Sequence, residues 1–162
     1  MNDLALIPVQ ELRAGLTLTP DLAWWVCAVE DGADLPENLP PAVIEEATRQ
    51  AALAERLMTP VPSSVLRPWL AMIAGHYGAA HRPKAEDQAS VWARTVELAM
   101  EGMPAGVFTR ANLGEVLLRS SFFPTAAQLM EVLAPDRDVL ERRARALRAV
   151  AQATGEPTSC LT

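Results

Sequence analysis

The chain has 162 residues, of which 50% are hydrophobic and 21% are charged, a balance typical of a folded globular protein. Charged residues interrupt every apolar run well before the roughly 18 residues that a membrane-spanning helix needs, and no basic region opens a secretory signal. We therefore expect a cytoplasmic protein without a membrane segment.

The net charge of −6 is distributed unevenly along the chain. Residues 1–60 have a net charge of −7, whereas residues 61–162 have a net charge of +1. An acidic region repels phosphates, so direct binding to nucleic acid is not expected. The asymmetry predicts an acidic helical segment over 1–60, a helical core domain over 61–154 and a flexible tail over 155–162.

Helical periodicity recurs in chain order, and prolines separate one pattern from the next. No segment has the alternation typical of a strand. The helical patterns are PDLAWWVCAVED (20–31), PPAVIEEATRQAALAERLM (40–58), SSVLRPWLAMIAGHYG (63–78), KAEDQASVWARTVELAMEGM (84–103), FTRANLGEVLLR (108–119), AAQLMEVL (126–133) and DRDVLERRARALRAVAQA (136–153). The sequence predicts an all-α fold, a compact multi-helix bundle with short connections rich in proline and glycine.

Two adjacent tryptophans, Trp24 and Trp25, lie in the first pattern. On a helix they point about 100° apart. One interpretation places both rings at the seam between the acidic segment and the rest of the protein. The other leaves one ring exposed beside the acidic residues Glu30, Asp31 and Asp34, an arrangement that suits a protein interface. Both tryptophans are therefore candidate partner-binding residues.

Two of the three phenylalanines, Phe122 and Phe123, lie just before a helix start. Pro124 follows them, and Thr125 and Gln128 have the spacing of a capping box. Two aromatic rings at such a junction are predicted to fill the space between the preceding helix and the new one. A partner-facing aromatic pair is the alternative.

The last helical pattern is rich in arginine. Pro135 is expected to break it from the preceding helix, so that residues 136–153 project. Guanidinium groups bind carboxylates bidentately, which makes this helix a candidate surface for a protein partner. A solvated amphipathic helix and a phosphate-binding helix remain as alternatives. The candidate partner-binding arginines are Arg137, Arg142, Arg143, Arg145 and Arg148.

The order of elements over about residues 66–134 resembles the small helical domain of phage helicase loader and inhibitor proteins. The shared features are the apolar helix WLAMIAGHYG, a helix that carries Trp92, a helix after a short turn, and the aromatic-proline-threonine junction. The resemblance implies a non-enzymatic phage or prophage accessory protein that binds a replicative helicase. It also implies that the segment from Asp136 onward makes much of the contact. The acidic residues 1–60 have no counterpart in that family.

Candidate catalytic and metal-binding residues are few. His76 and His81 are the only histidines, and a hydrolase or metal site would combine them with Glu86 and Asp87. The two carboxylates are better explained as first-turn residues that face a helix dipole. We therefore predict no enzymatic activity, no cofactor and no metal.

Two alternatives to a helicase accessory protein remain. One is a small DNA-binding regulator in which TRANLGEVLLRSSFFPTAAQLMEVL forms a helix-turn-helix. The acidic net charge and the absence of basic residues in AAQLMEVL count against it. The other is a phage inhibitor of a host defence complex, which the sequence does not separate from the leading hypothesis.

Overall fold

A computed structural model of the protein describes residues 16–76, 86–121 and 123–153, with residues 86–90 described by their backbone only. Within these ranges the chain forms six α-helices, one 3₁₀ turn and no strand beyond a single bridge between Pro60 and Pro104. The predicted all-α fold is confirmed, while the predicted tail over 155–162 lies outside the described residues. The helices are α1 (Pro20–Glu30), α2 (Pro41–Leu57), α3 (Ser63–His76), α4 (Glu86–Ala99), α5 (Arg110–Arg119) and α6 (Ala126–Gln152).

Local sequence signals explain where several helices begin and end. Thr19 and Thr109 are the N-caps of α1 and α5, and each hydroxyl accepts a hydrogen bond from the backbone three residues on. Gly102 follows α4 with φ at 84°, a left-handed conformation that favours glycine and stops the helix. None of the helices described is both long and apolar enough to cross a bilayer.

The last helix is longer than predicted, because α6 runs without a break through Pro135. The expectation that Pro135 separates two helices is wrong. Proline lacks the N–H that would donate to the carbonyl of Glu131, four residues earlier. Both residues are exposed, so water can satisfy that carbonyl. Apolar residues on both sides of the proline, such as Leu133 and Leu140, are buried and hold the helix in place.

The helices form two compact units. Among the described residues, unit 1 comprises 57–139, and unit 2 comprises 16–56 together with 140–153. The C-terminal half of α6 therefore belongs with the acidic segment, whereas the sequence pattern assigned it to a core domain over 61–154. Unit 2 is discontinuous in sequence.

Unit 1 is built around large apolar side chains. Trp69 is fully buried, and its ring meets the edge of Phe108 with a centroid distance of 5.3 Å. Its indole N–H donates to the Thr109 carbonyl at 3.2 Å, so the polar end of this ring is satisfied inside the core. Further buried members of this core include Leu66, Ile73, Val96, Met100, Val116, Leu129 and Leu133.

Unit 2 is built from smaller apolar side chains. Its α2 buries a stripe that begins at Val43 and continues through Ala47, Ala51 and Ala54. Two further alanines, Ala144 and Ala146, are buried on α6. The remaining buried apolar residues of the unit are Leu22, Val26, Leu39, Leu140, Leu147 and Val150.

Polar contacts tie the helices of unit 2 together. The side chain of Glu46 on α2 accepts from the Thr19 backbone N–H at 2.9 Å and from the Thr19 hydroxyl at 2.6 Å. Gln50, one turn further along α2, donates to the Thr17 carbonyl at 3.1 Å. The start of α1 is thus fixed to α2 by three hydrogen bonds.

Candidate partner-binding surfaces

Two of the five candidate arginines form ion pairs inside unit 2. Arg148 Nη2 lies 3.1 Å from Glu55 Oε1 of α2, and Arg143 Nε lies 3.7 Å from Glu30 Oε1 of α1. The second separation is an ion-pair distance that is too long for a hydrogen bond, and Arg143 Nε is buried without a hydrogen-bond partner. Both arginines therefore hold α6 to the acidic segment.

The other three arginines contact their own helix or remain exposed. Arg137 Nη2 lies 2.9 Å from the carboxylate of its neighbour Asp138. Arg145 is exposed, and its Nε donates to the Glu141 backbone carbonyl at 3.4 Å. Arg142 is exposed, and no carboxylate in the described part of the chain lies within ion-pair distance of it. Among the described residues, Arg142 and Arg145 are thus the members of the cluster that have no carboxylate within ion-pair distance.

The two tryptophans of α1 have different environments. Trp24 is 62% exposed, whereas Trp25 is half-buried and meets the Trp24 ring edge to face at 4.4 Å. Trp24 is two residues from each of the buried residues of α1, Leu22 and Val26, which is about 200° of rotation in either direction. Its ring therefore lies in the middle of the solvent-exposed side of the helix. Within unit 2, Trp24 is therefore the exposed ring of the pair and Trp25 the half-buried one.

Carboxylates flank this tryptophan. The exposed residues Asp21, Trp24, Cys27 and Asp31 lie on the same side of α1, and we name this set the Trp24 face. Neither carboxylate of the face has an ion pair or a side-chain hydrogen bond within the described ranges. The sequence pattern indicated the tryptophan and Asp31, and missed Asp21 as a member of this face. The signal was present, because the positions of Leu22 and Val26 already determine which side of the helix is exposed.

The aromatic junction before α6 is part of the core of unit 1. Phe123 packs against that core, and its ring meets the edge of Trp92 with a centroid distance of 4.1 Å. The Trp92 indole N–H donates to the Pro124 carbonyl at 3.0 Å. The core interpretation is therefore confirmed for Phe123, while Phe122 lies outside the described residues.

The predicted capping box is present at the same junction. The Thr125 backbone N–H donates to Gln128 Oε1 at 2.8 Å, and the Gln128 backbone N–H donates to Thr125 Oγ1 at 3.2 Å. Each side chain thus satisfies a backbone donor of the other residue, which fixes the first turn of α6.

Unit 1 also has an open groove of about 450 Å³ beside the C-terminal half of α4. Leu66 and Met100 are buried beneath it, and Leu98 is 63% exposed at its edge. The lining includes neither histidine nor cysteine, and its Glu97 pairs with Arg67 at 2.7 Å.

The residues proposed for a hydrolase or metal site lie largely outside the described structure. His76 is exposed at the end of α3. His81 and the side chains of Glu86 and Asp87 are not among the described groups. In the part of the chain that is described, no three residues of the types His, Cys, Asp and Glu come close enough to hold a metal ion.

Comparison with known proteins yields no match to a protein-family model, to a curated protein or to a solved structure. The function of this chain is therefore inferred from its own surfaces. Of these, the Trp24 face is the one that combines a large exposed aromatic ring with charged groups that pair with nothing in the described ranges.

Proposed function

We propose that this chain is a non-enzymatic accessory protein of phage or prophage type that acts by protein–protein contact, with a replicative helicase as its partner. A helicase is proposed as the partner because residues 66–134 resemble a domain of phage helicase loader and inhibitor proteins, and the chain would act as one or the other. The contact itself is supported by one observation: Trp24 is 62% exposed in the middle of the solvent side of α1. Tryptophan is enriched among the few residues that contribute most of the binding free energy in protein interfaces.

Other candidate residues contribute to different degrees. Trp25 supports the Trp24 ring through their edge-to-face contact. Arg142 and Arg145 extend the proposed contact onto α6, because both are exposed cations without a carboxylate partner in the described ranges. Arg143 and Arg148 contribute less to a partner, since breaking their ion pairs with Glu30 and Glu55 offsets part of any gain.

The test is direct binding to the purified replicative helicase of the host. Trp24→Ala should weaken binding at least about tenfold, since interface tryptophans of this kind contribute about 2 kcal/mol or more. Leu118→Ala is the matched control, because Leu118 is 85% exposed on α5 of unit 1 and should bind like the parent. Circular dichroism melts would verify that both variants are folded.

Each outcome of that test has a separate meaning. Equal binding by Trp24→Ala and the parent would place the interface away from α1. Failure of the parent to bind the helicase would remove the helicase as partner. The same pair of variants could then be tested on a host defence complex, the other partner class that the sequence left open.

The DNA-binding regulator is the alternative from another functional class. The start of α6 would have to serve as its recognition helix, yet Leu129, Val132 and Leu133 are buried in the core of unit 1. No basic residue precedes Arg137 in this helix. Titration of labelled duplex and single-stranded DNA at physiological salt should show nothing tighter than the non-specific range of about 10⁻⁴–10⁻⁶ M. Nanomolar binding would make the regulator the leading hypothesis.

A further inference from the structure

We infer that the Trp24 face binds a cationic segment of another protein, with arginine or lysine side chains stacked on the Trp24 ring and paired with Asp21 and Asp31. The inference rests on the proposed function in that it concerns the same face. It adds the chemical class of the partner, which the proposed function leaves open.

Two carboxylates of unit 2 have other partners, since Glu46 accepts hydrogen bonds from Thr19 and Glu141 is also engaged. The remaining described carboxylates of the unit fall into two groups. The first group, whose members each form an ion pair with an arginine at 3.7 Å or less, comprises Glu30, Glu45 and Glu55. The second group, whose members are exposed and have no such partner in the described part of the chain, comprises Asp21, Asp31, Asp34 and Glu37. All of the second group lie on α1 or in the connection that follows it. The charge of the Trp24 face is therefore not offset within the unit.

The C-terminal end of α1 gives a second reason for a cation at this face. The partial negative charge at a helix C-terminus favours basic residues in the last turn, yet α1 has none there. Asp31 instead occupies the C-cap position, where its carboxylate adds to the negative potential. No residue of α1 itself thus offsets the helix dipole, and the one cation in ion-pair distance of its last turn among the described residues, Arg143 of α6, faces Glu30 and not Asp31.

The exposed ring selects among cationic partners. Tryptophan is the best aromatic acceptor for the cation–π interaction with arginine or lysine. The same negative face repels nucleic acid phosphates and anionic lipid headgroups, which leaves a basic protein segment as the fitting occupant.

Asp21 and Asp31 lie about 15 Å apart along the helix, with Trp24 between them. A segment of about five extended residues spans that distance.

The test uses the full chain and an immobilised peptide of alternating arginine and alanine residues, long enough to span the face. We expect the arginine peptide to bind and its glutamate counterpart not to bind, with affinity that falls as salt is raised. Trp24→Leu should bind the arginine peptide about three- to tenfold more weakly, because leucine keeps apolar contact but lacks the π face. The affinity of Trp24→Phe for the arginine peptide should lie between those of the parent and Trp24→Leu.

A second pair of variants separates local charge from net charge. Asp21→Asn combined with Asp31→Asn should weaken binding about two- to tenfold. The control is Glu101→Gln combined with Glu131→Gln, which changes the net charge equally at exposed positions of unit 1. The control should stay within about twofold of the parent, because neither carboxylate belongs to the Trp24 face.

Several results would overturn this inference. Equal binding of the arginine and glutamate peptides would overturn the cationic occupant. Equal losses in the two charge pairs would overturn the pairing with Asp21 and Asp31. Full binding by Trp24→Leu would overturn the stacking on the Trp24 ring. Loss of helicase binding in Trp24→Ala would then still support the proposed function. If the parent forms a dimer that Trp24→Leu dissociates, the occupant is a second copy that presents Arg142 and Arg145, and the proposal of another protein is wrong.

Discussion

Units 1 and 2 are stabilised in different ways. Unit 1 buries large side chains such as Trp69, Phe108 and Met100, so much of its stability comes from apolar area and close packing. Unit 2 buries several alanines, each of which removes little apolar area from water. Its helices are joined by polar contacts, including the Arg148–Glu55 ion pair. Unit 1 is thus packed around large rings, whereas unit 2 is packed from smaller aliphatic side chains and adds polar contacts between its helices.

The two units also differ in how far they bury tryptophan. Unit 2 has a core of small side chains, and yet one of its two adjacent tryptophans, Trp24, is exposed. In unit 1, by contrast, Trp69 is fully buried. A large ring outside a modest core contributes little to the packing of unit 2, which is why the proposed interface is centred on it.

The largest expected effect tests the core of unit 1. Trp69→Ala should lower the free energy of unfolding by about 3–5 kcal/mol, because it removes a fully buried ring and leaves a cavity. Trp24→Ala, measured by the same urea denaturation, should change it by about 0.5 kcal/mol or less. A large destabilisation by Trp24→Ala would show that its ring is structural and would weaken the proposed interface.

Overpacking tests whether the alanines of unit 2 are in close contact. Ala47→Leu should lower the free energy of unfolding by about 1–3 kcal/mol, because a fully buried alanine leaves no room for three more carbons. The matched control is Ala52→Leu on the exposed side of the same helix, which should be almost neutral. If both variants melted like the parent, the buried stripe of α2 would be loosely packed.

The capping box gives a smaller effect in unit 1. Thr125→Ala should lower the free energy of unfolding by about 1 kcal/mol, the typical value for loss of an N-cap side chain. Thr95→Ala makes the same change in the interior of α4, where alanine is the better helix former, and should be neutral or stabilising by about 0.5 kcal/mol. If thermal melts show a lower melting temperature for Thr125→Ala and a higher one for Thr95→Ala, the loss at Thr125 comes from the missing cap and not from the change of threonine to alanine itself.

The smallest effect concerns the ion pairs of unit 2. A double-mutant cycle on Arg148 and Glu55 should give a coupling free energy of about 0.2–1 kcal/mol, since both side chains are about half exposed. The pair Arg119–Glu115, within α5 of unit 1, provides a reference of about 0.3–0.5 kcal/mol. Coupling that vanishes at low salt for Arg148–Glu55 would show that packing alone joins α2 and α6.

The sequence predicted features that depend on neighbours along the chain. The reciprocal contacts of Thr125 and Gln128 follow from a three-residue spacing. The uninterrupted helix at Pro135 was missed, because its tolerance depends on burial of residues before and after it. The partner of Arg148 was also missed, since Glu55 is 93 residues away in the sequence and no local pattern connects them.

The discontinuity of unit 2 has a consequence for synthesis of the chain. Residues 16–56 leave the ribosome well before the helix half that completes their core, 140–153. At translation rates of about 5–20 residues per second, the apolar stripe of α2 waits on the order of ten seconds for that partner. The described part of unit 1, residues 57–139, is made within this interval. The nascent acidic segment must therefore rely on its own charge to stay free of aggregation until the end of α6 emerges.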